Sequence, residues 1–332
     1  MLAASWSTVP SAPVPGRDDT LLVLLLCCHP SLSPSAAIPL TLRAVCGLTT
    51  REIAQAFFVP DATMAQRISR AKARLRQTDM PVAMPGPHDR AERLRSVRHV
   101  LYLLFTEGHG ASSGPELTRP DLATEAIRLT RMLHAAAGDD AEVAGLLALM
   151  LLTDARRPAR TGPDGALVPP GRAGPHPLGP CPDRRGLDLT AAALEHRRVG
   201  EYQLQAAIAA AHARARRYEE TDWAEIASLY ALLDRLTDNP MVRLNRAVAV
   251  AMANGPRHGL AMLAEIEAHL GDHHRWHAVR AHLLERAGDT AAAADAFGVA
   301  ARLATNAREQ NYLTLQAARL GADTGRADGE PP

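Results

Sequence analysis

Lysine is nearly missing from this chain. Lys72 is the only one, and every other basic side chain is arginine. With Ala, Gly and Pro abundant as well, the composition bears the mark of GC-rich coding, so an arginine count by itself says little about function. Aromatic residues make up only 4%, low for a sandwich or barrel and ordinary for Ala/Leu-rich helices. The four cysteines, Cys27, Cys28, Cys46 and Cys181, include no CxxC pair, which argues against a disulfide scaffold or a zinc module. The apolar stretch Leu21–Cys28 is eight residues long and follows Arg17-Asp18-Asp19. A signal peptide needs a basic start, and a membrane span needs about 20 apolar residues. The expectation is a cytoplasmic protein with reduced thiols and no membrane partner. Charge of one sign is lacking too: 37 basic side chains face 36 acidic ones, for a net +1, so any nucleic-acid surface must be local.

What is present is helical pattern. The 332 residues, 47% hydrophobic, favour two or more domains with real cores, and no window alternates with period two. The fold class is read as all-α. Residues 1–16 are Ser/Pro/Ala-rich and read as a disordered lead-in. Residues 17–77 form a first domain, and 78–90, with three prolines and a glycine, a linker. Residues 91–157 read as a helical domain, with Leu94, Val97, Leu101, Leu104 and Phe105 on one stripe. Two further amphipathic segments lie at 120–136 and 140–157, with Asp139 or Asp140 as caps. Residues 158–186 hold eight prolines in 29 positions and read as a loop without helix or strand. Helical pattern resumes over 187–320, and 321–332 reads as a disordered tail. Within 187–320, Gly255 and Gly288 stand 33 residues apart, each after a small-residue helix and before a second helix, Leu260–Leu270 and Ala291–Leu303. That offset is tetratricopeptide-like.

The chemistry concentrates in 48–77. Thr49 or Thr50 can cap a helix, with Glu52 nearby and Ile53, Ala54 and Phe57 inward. Val59-Pro60 stops it, and Asp61 can cap a second helix after a turn of three or four residues. Along that helix Met64, Ile68, Ala71 and Leu75 form the core stripe. Thr63, Gln66, Arg67, Arg70 and Arg74 then face outward, and residues 61–76 carry a net +4. This is a helix-turn-helix layout: the start of the second helix reaches base edges and the later arginines bind phosphates. The candidate DNA-binding residues are Thr49, Thr50, Arg51, Thr63, Gln66, Arg67, Arg70 and Arg74.

Residues 20–77, through the Cys-Cys-His-Pro run, LTLR, GLTTREIA and VPDATMAQR, resemble region 4 of extracytoplasmic-function sigma factors. The subgroup they resemble carries a tetratricopeptide-like helical extension. LYLLFTEGHGASSG (101–114), LLALMLLTDARRPAR (146–160), YQLQAAIAAAHA (202–213), TDWAEIASLYALL (221–233) and NPMVRLNRAVAVA (239–251) are similar to that extension. The resemblance implies a transcription initiation regulator that binds the −35 promoter element, with the extension as a regulatory or docking module for a protein partner. Region 2, which such factors carry ahead of region 4, has no counterpart in the Pro/Ser-rich lead-in. RNA polymerase core binding is therefore expected to be weakened or lost. The stretch 166–186 also replaces a tryptophan-containing polar segment of the relatives. A one-base shift in plausible GC-rich codons for 177–186 restores such a segment, so reading-frame slips are expected in the gene.

Other constellations are weaker. Cys27-Cys28-His29 has poor ligand spacing and reads as a packed helix end. His269, His273, His274 and His277 lack a third ligand and read as surface or interhelix histidines. Glu107–Gly114 holds Glu, His and Ser but no strand-to-helix elbow, and reads as an interhelix turn. No metal, cofactor or catalytic residue is expected, and the chain is not read as an enzyme. The alternative function is a helical interaction scaffold with a relic DNA-binding unit.

Overall fold

A computed structural model describes residues 20–29, 31–57, 59–78, 87–111, 115–160, 183–196, 199–215 and 217–327. All their regular structure is helical, and no strand occurs among them. None of their helices is long and apolar enough to cross a membrane. The lead-in 1–16 lies outside the described residues, as do Cys181 and most of the proline-rich stretch. Two units divide the chain: residues 1–113 with 118–147, and residues 114–117 with 148–332.

The first unit holds α1 (Thr20–Cys27), α2 (Pro34–Ala44), α3 (Thr50–Ala56), α4 (Asp61–Gln77), α5 (Pro87–His109), α6 (Pro120–Ala137) and the start of α7 (Ala141–Asp154). The stripe Leu94, Val97, Leu101, Leu104 and Phe105 of α5 is buried as its period requires. Its partners are α6, α1 and α2. Residues 91–113 and 118–147 therefore fall in one unit with the helix-turn-helix, in place of the expected boundary at 78–90. Apolar period fixes which face of a helix is buried but not what buries it. Arg93 adds a polar tie, donating from Nη1 to Leu25 O at 3.1 Å from inside the unit. Proline 87, read as linker, is the first residue of α5, a position that tolerates the missing N–H. Asp140 does cap α7, accepting from Val143 N at 2.9 Å, and also pairs with Arg98 at 3.1 Å.

The second unit continues with a 3₁₀ turn at Arg157–Arg160, α8 (Arg184–Leu194), α9 (Glu201–Arg214), a 3₁₀ turn at Tyr218–Glu220, α10 (Trp223–Thr237), α11 (Pro240–Asn254), α12 (Pro256–Glu265), α13 (Glu267–Leu270), α14 (His274–Ala287), α15 (Thr290–Leu303) and α16 (Ala307–Ala327). Helices pack in chain order from α8 to α12, and then α12 on α14, α14 on α15 and α15 on α16. This is the nearest-neighbour stacking of a helical array. Asp222, Asn239 and Asp289 start α10, α11 and α15 by accepting from Glu225 N, Met241 N and Ala292 N. Phe297, fully buried, centres the α14–α15–α16 core, and Trp276 ties α14 to α12 through Nε1 to Leu263 O at 3.1 Å.

Three expectations for this unit are corrected. The segment 158–186 is not wholly without helix, because Asp183 accepts from Arg185 N and Gly186 N and opens α8 at Arg184. Gly186 is buried, and a Cβ there would lie 2.8 Å from Leu152 Cγ. Arg184–Gly186 thus has a structural role that the frame-slip reading denied it. The helix expected at Leu260–Leu270 is two, divided at Ile266 with φ −107° and ψ 4°. The tail expected from 321 is still helix through Ala327.

Both repeat glycines sit in turns that demand them. Gly255 has φ +101° and ψ 155° and Gly288 has φ +88° and ψ 2°. The first conformation is essentially closed to residues with a Cβ, while the second is left-handed helical. Gly255→Val is expected to destabilise the second unit by about 1–3 kcal/mol through backbone strain alone, since a Cβ would meet nothing within 4 Å. Gly288→Asn should be milder because Asn tolerates that region. Urea unfolding of the two variants checks the order, and equal losses would count against it.

Candidate nucleic-acid interface

The turn into α3 is built locally. Gly47 takes φ +71°, and Arg43 donates from Nη1 to Leu48 O at 3.0 Å. Thr49, not Thr50, is the cap. Its Oγ1 accepts from Glu52 N at 3.2 Å, while Thr49 N and Oγ1 donate to Glu52 Oε2 at 2.7 and 2.6 Å. This reciprocal box satisfies helix-end donors and holds the Glu52 carboxyl below its ordinary pKa, chiefly through the Thr49 hydroxyl. Ile53 and Ala54 are buried, whereas Phe57, expected inward, is only half-buried. Val59 N then donates to Ala54 O at 3.1 Å, and Pro60 is the N-cap of α4. Asp61, expected as that cap, is the first helical residue instead and makes no capping bond. Its carboxylate still favours the helix start through the dipole.

Met64, Ile68 and Ala71 are buried in α4, with Leu75 half-buried. At 100° per residue, Thr63, Gln66, Arg67, Arg70 and Arg74 fall within an arc of about 100°. Thr63, Gln66, Arg70 and Arg74 are exposed and Arg67 is half-buried at the edge. From Thr63 to Arg74 the face runs about 16 Å along the axis. Lys72 and Arg76 lie on the other side, so the face carries three arginines and no acid. Thr49, half-buried Thr50 and exposed Arg51 stand at the start of α3, off the α4 face, with Thr49 exposed but committed to the capping box.

Pairing separates these arginines from the rest of an arginine-rich chain. Arg98, Arg128, Arg214 and Arg243 reach carboxylates at 3.1, 2.7, 2.5 and 3.0 Å. Arg51, Arg67, Arg70 and Arg74 make no ion pair or side-chain hydrogen bond among the described residues. Unpaired guanidiniums on one helix face can neutralise phosphates and release counterions, which is the main source of affinity for DNA. Composition alone could not reveal this difference. Arg43 and Arg93, which shape and anchor the unit, carried no signal in the sequence because their carbonyl partners are set by the turn and by packing.

The remaining candidates have structural roles. Cys27 and Cys28 are buried, with Cys28 Sγ 3.7 Å from Thr41 Oγ1. Burial pushes both thiols up to about 12 and makes them poor metal ligands or nucleophiles. His273 accepts from Arg275 N at 3.2 Å, His274 lies 3.3 Å from a Glu309 oxygen, and His277 donates from Nε2 to Gly271 O at 2.7 Å. No three His, Cys, Asp or Glu residues are grouped to hold a metal among the described residues. In the Glu107–Gly114 segment, Gly108 O accepts from Arg119 N at 2.7 Å and His109 stacks on Phe105 at 5.7 Å, while 112–114 lie outside the described residues.

Residues 22–75 match the family model of sigma-70 region 4, and residues 93–173 match a family of unknown function (DUF6596). No solved structure matches the chain. An uncharacterized protein of Rhizobium meliloti (strain 1021), R00370, is 44% identical over 316 residues, covering 92% of this chain and 73% of that one. The region 4 match spans α3 and α4 with their supporting helices, and the chain carrying it belongs to the family of the R00370 protein.

Proposed function

We propose that this protein is a regulator of transcription initiation, of the extracytoplasmic-function sigma type, that binds −35 promoter DNA through α3 and α4. The unpaired arginine face of α4, set beside a capped α3 in a sigma-70 region 4 domain, carries the reading. Thr63, Gln66 and Arg67, nearest the start of α4, are the base-reading set, with Arg70 and Arg74 on phosphates. Thr50 and Arg51 approach the backbone from the start of α3. The protein acts in the cytoplasm, and its hold on RNA polymerase core is weakened or lost without a region 2. The second unit serves as a tetratricopeptide-like regulatory or docking module, and no step of this function is catalytic.

Gln66→Ala and Arg67→Ala are each expected to weaken binding to a selected −35 site by about 1–3 kcal/mol and to leave binding to unrelated duplex nearly unchanged. Competition binding at fixed salt separates the two effects. Equal loss on all sequences would remove both residues from base reading.

A further inference from the structure

The connection between α5 and α6 does not stay with its two helices. Residues 114–117 fall in the second unit, whereas α5 and α6 belong to the first. Arg119 N closes the base of the connection by donating to Gly108 O at 2.7 Å. The turn between α15 and α16 holds its other side. Asn306 donates from Nδ2 to Glu116 O at 2.7 Å, across 190 positions. Arg308 donates from Nε to Pro115 O at 3.2 Å, and its Nη2 lies 3.8 Å from Glu116 Oε2.

Asn306 is 1% exposed and uses both ends of its carboxamide. Oδ1 caps α16 by accepting from Arg308 N at 3.0 Å and Glu309 N at 3.2 Å. A cap needs only that oxygen, which Ser or Asp would supply as well. Nδ2 is the end that the connection uses, and a buried donor left without its acceptor is costly. Pro115 and Glu116 are exposed, so apolar burial does little to hold them and these bonds do the holding. The chain carries that hold onward. Three residues after Glu116, Arg119 O accepts from Leu122 N at 3.0 Å and from Ala123 N at 3.2 Å, in the first turn of α6. Leu122 and Ala123 are buried, and Ala123 is the residue against which Gly108 packs.

We propose that the α15–α16 turn is a clasp on the α5–α6 connection, through which the second unit sets how readily the first turn of α6 opens. Its two states are a held connection and a released one, separated by the bonds from Asn306 and Arg308. Opening of a helix end is a local event, far cheaper than unfolding the unit. Because α6 packs on α5, and α5 on α1 and α2, release weakens the support of the DNA-binding helices. That last consequence rests on the DNA reading above, and the clasp itself does not.

Hydrogen–deuterium exchange of the full chain reads the opening at amides 119–123. Asn306→Ser keeps a capping oxygen and removes the Nδ2 donor, so exchange there is expected to rise about tenfold. Arg308→Ala, at a more exposed side chain, should raise it about threefold. Asn239→Ala is the control. It removes the cap of α11, which accepts from Met241 N, and should change amides 119–123 less than about twofold. Unchanged exchange in both clasp variants would overturn the proposal. So would an equal rise in Asn239→Ala, which would mark general loosening of the second unit. Duplex DNA binding is measured on the same proteins. Asn306→Ser should weaken it about threefold with an unchanged salt slope, because no phosphate contact is lost. Faster exchange with undiminished DNA affinity would overturn the link to the DNA-binding helices. A parent chain that binds no DNA would count against the DNA reading alone, and exchange would still decide the clasp.

Discussion

Reversing Arg70 and Arg74 together, as Arg70→Glu with Arg74→Glu, is expected to lower affinity for any duplex DNA by about two orders of magnitude at low salt. Both side chains are exposed and have no partner among the described residues, so the change breaks no ion pair there and should not alter melting. Each lost phosphate contact should also reduce the slope of log K against log salt by about 0.9. A salt titration of the variant and the parent protein reads both effects. The same reversal at Arg214, which is paired with Glu225, should disturb the second unit and leave the salt slope alone. If the α4 double variant binds DNA with an unchanged slope, the face is solvated charge and the DNA reading fails.

Gly108→Ala is expected to cost the first unit about 3 kcal/mol or more. A Cβ at this position would lie 2.4 Å from Ala123 N and 2.9 Å from Ala123 Cα. Both atoms are backbone, so no rotamer change relieves the clash, and the first turn of α6 must leave α5. The bond from Arg119 N to Gly108 O at 2.7 Å would be lost with it. Because α5 also packs on α1 and α2, unfolding of α5–α6 and loss of DNA binding should occur together. Gly110→Ala, two residues on, is the control: its Cβ would meet only Thr106 O at 3.9 Å, and the effect should stay within about 0.5 kcal/mol. Thermal melting and DNA titration of the two variants side by side make the comparison. Equal, small losses would show that α6 can shift away without consequence.

Local chemistry made part of this protein legible in advance. The Thr49–Glu52 box, the Pro60 stop, the Met64–Ile68–Ala71 stripe and the glycines at 255 and 288 depend on residues within a turn or two of each other. Their consequences follow from backbone geometry alone. Asp61 stands one position inside the helix rather than at its cap, because a cap and a first-turn residue share the same preference for acid and only dihedral angles separate them. The break at Ile266 and the extension of α16 to Ala327 depend on what each turn packs against.

The sequence by itself determined that the chain is helical, where its helix-turn-helix lies, and which residues of α4 share the outward face. These follow from periodicity and from caps, both short-range. Only the tertiary structure decided that α5 and α6 complete the first unit, because an apolar stripe specifies burial without naming its partner. It also decided which arginines are free. Arg98 finds Asp140 across 42 positions and Arg93 finds Leu25 O across 68, while those on α4 meet no acid among the described residues.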